Sequence, residues 1–494
     1  MDAQGTCGIL ISGAEEIELE TFMKAMRKTF SVAGVTVRLF FRGGAGWGLL
    51  FLVSALAGFM FFATNANDIL LDELRLRLKY SLYSFSVLLN VALIYFACVS
   101  LRKDIDERRF HNVTSAPVSR GTVWMGKFLG TLAIGAIAYA AASLTLAACC
   151  AGFISNWRSA SDVETLSENF FLTYYLNKPD LAAFEREVSK EYGEKRRQLE
   201  DRQREDKLKE AAAVAETGGH HHDHGDLEGD TWRARKYLLF EIRRYRQMIN
   251  PGKTGEWFFD WEPGALRGEH AVLKFKFYSN QRRNKVAGYW TLSGGGKTWR
   301  APFTGYPFVV NELKIPVEKI PKAQRLKLVF HNESDSYLFF PVYHEGIQLL
   351  SGHRGIFSNY LSLFAFSLAH MATLVALALA FSSLFSYSVA VFASVMMYVT
   401  AAFSGIFANV LRDLSFHDQT LWTEASRRII EFGLWLTGGA EPFPVNGWFS
   451  DGLAIPVASL LSSEGLGYAL YLAIVVAVGI WALRVKEIDK IPQA

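Results

Sequence analysis

The chain has 494 residues, half of them hydrophobic, with 52 lysines and arginines against 48 aspartates and glutamates and a net charge of +4. It is too long for one compact domain and too apolar for an ordinary soluble one, so a membrane protein is the first expectation. Basic residues gather beside apolar runs instead of forming a stripe, which argues against nucleic acid as a partner, and the cysteines Cys7, Cys98, Cys149 and Cys150 all lie outside the large polar middle, so neither a disulfide framework nor a CxxC zinc pattern can be argued.

Residues 1–45 come first. Within them ETFMKAMRKTFSVAGVTVRLFF mixes basic residues with Phe22, Phe30, Phe40 and Phe41 at helical spacing. That pattern predicts a helix along the inner membrane surface, with a plain cytoplasmic extension as the alternative. The first apolar run, Gly46–Thr64, starts too far into the chain for an obvious cleavable signal and reads as a retained anchor. Five more runs follow: Ser81–Leu101, Thr131–Ile154, Ile356–Phe381, Val389–Val410 and Leu466–Leu483. Each approaches the roughly 20 apolar residues that a span requires, and inside lipid a helix is the form that satisfies its own backbone. Cys149 and Cys150 fall within such a run and read as small packing residues.

Lysine and arginine set the expected orientation. Lys24, Arg27, Lys28, Arg38 and Arg42 precede the first run; Arg102, Lys103, Arg108, Arg109 and Arg120 lie between the second and third; Arg484, Lys486 and Lys490 follow the sixth. Six crossings put all three groups, and both termini, on the cytoplasmic side. Arg75, Arg77 and Lys79 run against the rule, balanced by Asp68, Asp72 and Glu73.

The membrane parts are then 46–154, 356–410 and 466–494. Residues 155–355 form an extracytoplasmic domain, and 411–465 a shorter outside segment. In the domain, EREVSKEYGEKRRQLEDRQREDKLKEAAAVAE places opposite charges three and four apart, which predicts a solvated helix over 180–216. A His-rich linker at 217–230 follows. From there the period changes to two: AVLKFKFY sets Leu273, Phe275 and Phe277 against Lys274 and Lys276, and RLKLVF does the same with Leu326, Leu328 and Phe330. Such strands, separated by GGGK, NELKIP and HNESDS, predict an antiparallel β-sandwich over 255–345.

The segment SAPVSRGTVWMGKFLG, residues 115–130, stands just before the third run. Proline is tolerated in the first turn of a helix and disfavours helix before it. Pro117 is therefore expected to start a short basic helix that leads into the span. On these residues alone it is either a positive-inside anchor or a docking element.

This segment resembles the one after the second span in type 2 ABC exporter permeases, where an acidic stretch, a Pro-Val/Ile-Ser-Arg turn and a Gly-Lys pair precede span three. The corresponding residues are DIDERR from Asp104, Pro117-Val118-Ser119-Arg120, and Gly126-Lys127; between stretch and turn this chain has FHNVTSA where members of that family often carry Gly-Thr and leucines. The short link FSSLFSYSVA and the basic tail WALRVKEIDK are also similar to that family, over roughly 300 residues of membrane portion. The large outside insertion resembles permeases labelled for multicopper-enzyme maturation. What the resemblance implies is a coupling segment over 102–127 that docks on a separate ATPase. Asp104, Glu107, Arg108, Pro117, Ser119, Arg120, Gly126 and Lys127 would form the contact. ATP and Mg would bind the partner, and no cofactor would bind this chain.

Other chemistry is sparse. GGGKT, Gly294–Thr298, lacks the first glycine of a phosphate loop, since Thr291 stands there, and reads as a hairpin turn. His220, His221, His222 and His224 are good ligand types for a divalent metal, and the alternative is a polar linker that binds metal incidentally. His370, an ionisable group inside a span, faces either a partner helix or a translocation path, with Asn359 on the same span. His417, Asp418, Glu424 and Glu431 show no nucleophile–base pairing.

The expectation is an α-helical polytopic membrane protein with six transmembrane helices and an inserted extracytoplasmic α+β domain containing a β-sandwich. It would serve as the permease subunit of an ABC exporter in a bacterial inner membrane. Its partners would be ATPase subunits, a second permease subunit and lipid. A membrane-anchored binding or sensor protein and a membrane-surface enzyme are the alternatives.

Overall fold

The structure, a computed structural model, describes residues 5–64, 70–106, 119–156, 172–217, 227–261, 270–281, 284–321, 323–341, 346–403, 424–429, 445–456 and 463–488. Its helices in chain order are α1 (Gly5–Arg42), α2 (Ala45–Ala63), α3 (Leu70–Asp106), α4 (Arg120–Ser155), α5 (Leu181–Thr217), α6 (Leu227–Gln247), α7 (Ile356–Leu384), α8 (Tyr387–Ala402), α9 (Val445–Ser450) and α10 (Ser463–Ile488). The chain divides into two units, one drawn from residues 1–173, 355–411 and 425–494 and the other from 174–354 and 412–424.

The first unit is all helical among the described residues beyond β1. Five of its helices are long and apolar enough to cross a membrane: Ala45–Ala63, Glu73–Ile105, Arg120–Ser155, Ile356–Leu384 and Leu466–Val485. The fifth expected run, Val389–Val410, differs. Its described helix, α8, has 16 residues. At about 1.5 Å per residue it reaches roughly 24 Å, short of the ~30 Å hydrocarbon core. Residues 404–410 of that expected span lie outside the described residues.

Two helices start earlier than their apolar runs. α3 begins at Leu70, eleven residues before Ser81, because its extra turns carry charges that pair along the helix. Arg77 donates to Glu73 Oε1 from Nε at 3.0 Å and from Nη2 at 2.5 Å, and Arg77 Nη1 reaches the Phe61 carbonyl at 2.8 Å. The Arg77 guanidinium also lies 4.6 Å from the Phe153 ring centre. The three basic residues that run against the orientation rule are thus placed on a helix, and Lys79 pairs with Asp451 at 3.6 Å. α4 begins at Arg120 and runs unbroken through the short basic stretch and the third span.

α1 carries two faces. Ala33, Thr36 and Phe40 are buried, whereas Met23, Met26, Phe30, Val35 and Leu39 are exposed. The exposed apolar set suits a lipid interface. Of the buried set, Ala33 and Thr36 pack on α4 at Gly130 and Phe40 packs on Phe96 of α3, contacts absent from the surface-helix expectation.

The second unit contains the helical pair α5 and α6 and most of the strands. Strands are β1 (Leu172–Asn177), β2 (Met248–Ile249), β3 (Thr254–Asp260), β4 (His270–Lys276), β5 (Tyr278–Ser279), β6 (Val286–Gly294), β7 (Lys297–Gly305), β8 (Val310–Pro316), β9 (Arg325–Asn332), β10 (Leu338–Phe339) and β11 (Ile347–Gly355). Two four-stranded sheets have the orders β1-β11-β4-β8 and β3-β9-β6-β7, and a small third sheet is β2-β10-β5. Every pairing with a described register is antiparallel. The alternation read in the sequence is the burial pattern: Leu273, Phe275 and Phe277 of the first sheet's side, and Leu326, Leu328 and Phe330 of the second's, are fully buried in one core. Phe275 and Trp290 meet edge to face at 4.8 Å across it. The arrangement is a β-sandwich.

One separator was misread. NELKIP is β8 itself, paired with β4 so that Glu312 stands opposite Lys274. Its mixed composition hides a strand because its side chains are largely half-buried or exposed, with Ile315 the deeply buried exception. GGGK is a true turn. Gly294 pairs with Lys297, and Gly295 and Gly296 between them have φ of 53° and 79°. Positive φ at both central residues is the two-residue hairpin geometry that glycine permits.

α5 and α6 hold each other through Val188, Leu239 and Ile242. Arg243 pairs with Glu185 at 3.1 Å, and Arg246 bridges Glu191 at 2.9 Å and Glu187.

Candidate functional site

The residues expected to form the coupling segment lie where α3 ends and α4 begins. Asp104, Ser119, Arg120, Gly126 and Lys127 are described; Glu107, Arg108 and Pro117 lie outside the described residues. Ser119 is the N-cap of α4, and its Oγ accepts a hydrogen bond from the Thr122 N–H at 3.2 Å. A serine there satisfies a backbone donor that the first helical turn leaves open.

From this cap, successive residues of α4 engage three different helices. Trp124 is fully buried, stacked on Phe128 at 5.8 Å. Its ring leaves no room at Gly479 of α10, where a Cβ would stand 2.8 Å from the indole. Gly126 and Gly130 form a small-xxx-small pair that lets the α1 backbone approach closely. A Cβ at Gly126 would lie 2.5 Å from Val32 Cβ, and one at Gly130 would lie 2.8 Å from Thr36 Cβ. Lys127 is buried and turns toward α3, with Nζ 2.5 Å from Asp104 Oδ2 and 2.5 Å from the Ser100 carbonyl.

Two arginines extend this pattern. Arg120 Nη1 donates to the Arg484 carbonyl near the end of α10 at 3.3 Å. Arg102 Nη1 donates to the carbonyl of Phe385, the residue that caps α7, also at 3.3 Å. The C-terminal end of a helix is electronegative and its last carbonyls lack intrahelical partners, so a cation is favourable there. The end of α3 and the start of α4 thus contact each other and the C-terminal ends of α7 and α10.

A short basic helix that leads into the span is the expectation for these residues. The structure instead turns Gly126 and Lys127 inward, because a glycine pair and a paired lysine are what a close helix junction requires. Of the described residues in that set, Ser119, Arg120 and Asp104 retain exposed or partly exposed surface. Trp124, Gly130, Arg102 and Gly479 were not anticipated. The GKFLG spacing held the one usable signal.

The two path residues separate. Asn359 is completely buried, its Nδ2 donating to the Leu453 carbonyl at 2.9 Å and its Oδ1 accepting from the Ile455 N–H at 2.7 Å. Both ends of the amide clamp the 453–455 backbone, so Asn359 forms a structural tie. His370 does line a cavity of about 220 Å³ in the helical unit, with its ring 6.3 Å from that of Tyr398. His220, His221, His222 and His224 lie outside the described residues, as do His417, Asp418 and Glu431.

No family model matches the chain, and no curated protein matches it. What the fold itself defines is a multi-pass membrane protein with a separate β-rich unit.

Proposed function

We propose that this chain is the permease subunit of an ABC-type exporter, coupling ATP hydrolysis on separate ATPase subunits to movement of a substrate across a bacterial inner membrane. The reading takes α8 together with residues beyond it as a sixth span, which returns both termini to the basic, cytoplasmic side. The β-rich unit then stands outside, where it would receive or select cargo. A second permease subunit would complete the pore, and ATP and Mg would bind the ATPase.

One observation carries the reading. At the α3–α4 junction Lys127 ties α4 to α3, while Arg102 and Arg120 reach the C-terminal ends of α7 and α10, so a push on it reaches helices far apart in sequence. A loop that served as a topological anchor alone needs positive charge on one side of the membrane but no such set of partners. In this mechanism Ser119 and Arg120 present the docking surface, while Gly126, Gly130 and Lys127 transmit the displacement to α1 and α3.

The test is reconstitution with the ATPase encoded nearest this chain. Arg120→Ala is expected to remove most of the substrate-stimulated ATP turnover while leaving the complex assembled. An Arg120→Ala complex that stays fully coupled would refute the assignment. The sensor alternative rests on the β-rich unit having its own core, and it predicts ligand binding with no ATPase partner at all.

A further inference from the structure

We propose that the loop Gly305–Val310, at one end of the β-sandwich, binds an extended peptide segment of another protein, one that carries acidic side chains beside aromatic or aliphatic ones. This inference does not rest on the transport reading. The loop crosses from β7 in one sheet to β8 in the other. Register sets it beside two further strand ends, since Gly305 pairs with Val286 and Val310 with Lys276. What it presents is apolar: around the buried Pro307, Tyr306, Phe308, Val309 and Val310 are 49%, 38%, 56% and 39% exposed. Single exposed apolar residues are ordinary on a protein surface, whereas a contiguous set marks a place of interaction.

The backbone of the loop is shaped for this display. Phe308 has φ of 69°, the one positive value at a non-glycine residue among the described residues. It follows Pro307, at the turn position where glycine or asparagine relieves the strain that a bulky side chain incurs. Three hydrogen bonds hold the shape: Asn311 Nδ2 donates to the carbonyls of Tyr306 at 3.3 Å and Val309 at 2.9 Å, and the Phe308 N–H donates to the Phe277 carbonyl at 2.8 Å. Glycine at 308 would make the same turn without strain, so the phenylalanine serves to keep a ring at the surface, edge-on to Tyr278 at 5.2 Å. A tied loop with its apolar side chains outward binds with little further ordering.

Charge selects the partner. The two segments that meet here, Lys276–Lys285 and Gly305–Val310, carry Lys276, Arg282, Arg283 and Lys285 in sequence and neither aspartate nor glutamate. Lys285 Nζ lies 5.3 Å from the Tyr306 ring centre and Lys276 Nζ 5.8 Å from that of Tyr278, so positive charge borders the rings themselves. The complement is a carboxylate next to an apolar side chain. A second copy of the same loop would set like charge against like. An anionic lipid surface shares the complementary charge, but a fluid surface is indifferent to the strained turn and to the two Asn311 bonds. Val310 also opens β8, which stands at the edge of its sheet among the described strands. An extended peptide can follow such an edge with main-chain hydrogen bonds, which lipid does not offer.

Full-length protein in neutral-lipid nanodiscs, panned with a phage-displayed random dodecapeptide library and counter-selected on empty nanodiscs, tests this. Enriched peptides are then synthesised and their Kd measured by fluorescence anisotropy. The expected sequences place aspartate or glutamate beside aromatic or aliphatic residues. Phe308→Gly should weaken their binding at least about 30-fold, the scale of a lost anchor, and Lys285→Glu at least about fivefold. Phe308→Gly also relieves the turn, so the protein should unfold at no lower temperature, which separates lost binding from lost fold. Asn311→Ala leaves the apolar surface in place and should weaken binding too. The proposal is overturned if no peptide is enriched, if the enriched peptides lack acidic residues, or if Phe308→Gly or Lys285→Glu leaves their Kd unchanged. Vesicles containing phosphatidylglycerol supply the lipid arm: co-flotation of the nanodisc-held protein that Phe308→Gly abolishes and Asn311→Ala leaves intact would overturn the peptide in favour of lipid.

Discussion

Adding a single methyl group at Gly126 should separate α1 from α4. A Cβ there would stand 2.5 Å from Val32 Cβ, 2.6 Å from Val32 Cγ1 and 3.0 Å from the Thr29 carbonyl oxygen. Carbon atoms settle at about 3.5–4.0 Å, so the overlap is roughly 1 Å. A rotamer change relieves the Cγ1 contact but neither the Cβ nor the carbonyl, which move only with the α1 backbone. Overpacking of this kind costs about 1–3 kcal/mol, and the rigid obstacles place Gly126→Ala at the upper end. Alanine in place of glycine within a helix returns about 1 kcal/mol. The net loss of α1 docking is therefore about 2 kcal/mol, close to a 30-fold rise in the undocked population. Ala33, buried against α4, reports it: maleimide labelling of Ala33→Cys should accelerate by about that factor when Gly126→Ala is added. Gly130→Ala should act in the same direction. The two together should fall short of the sum, because one retreat of α1 relieves both. In a chain shortened to begin after Arg42 the sign should reverse, with Gly126→Ala mildly stabilising the remaining bundle. A labelling rate unchanged by Gly126→Ala, or an equal loss of stability in the shortened chain, would refute the close-approach argument.

Three other outcomes follow from the structure. Asp104→Asn leaves buried Lys127 with the Ser100 carbonyl but no counter-charge, so thermal stability in nanodiscs should drop by about 1–3 kcal/mol, and Lys127→Met with Asp104→Leu should recover most of it. Trp290→Ala empties the centre of the sandwich core and should cost about 3–5 kcal/mol, read as protease sensitivity of the β-rich unit in the intact chain. Glu191 is held below the ordinary glutamate range, first by its hydrogen bond to Lys195 and then by Arg246, with partial burial opposing. A depressed carboxylate stabilises the folded form above its unfolded pKa and ceases to do so as pH falls through the lower folded value. Hydrogen-exchange protection factors across α5 and α6, corrected for the intrinsic pH dependence of exchange, should therefore fall on acidification below the usual glutamate range, and Glu191→Gln should flatten that dependence.

The membrane helices were legible as composition, since an apolar run of span length has few other solutions. Their ends were less so. α3 extends back to Leu70 because Glu73 and Arg77 neutralise each other one turn apart, and a hydropathy window scores such a pair as two charges. Strands β4 and β9 were legible through strict alternation, whereas β8 was lost to a composition that looks like a turn. At the α3–α4 junction the residue types could be read but their directions could not. Lys127 beside Gly126 appeared as one basic docking pair, and the structure turns one into the groove of α1 and the other onto Asp104. Partners drawn from residues hundreds of positions away, such as Arg484 and Phe385, leave no local trace.

Arg102 and Arg120 bring together two roles usually argued apart. Arg102 and Arg120 belong to the group of cations from which orientation is read, and both, like Lys127, reach a backbone carbonyl toward the end of a membrane helix. The last carbonyls of a helix lack intrahelical partners, as at Phe385 beyond α7, and the negative end of the helix dipole favours a cation there. A cation supplied by a neighbouring helix meets that need. Moving the junction then means exchanging those carbonyl contacts for water, a small loss for each bond but a shared one across α3, α7 and α10. Under the proposed function, contacts linked in this way would let the junction move as a unit, which is the property that a coupling element requires.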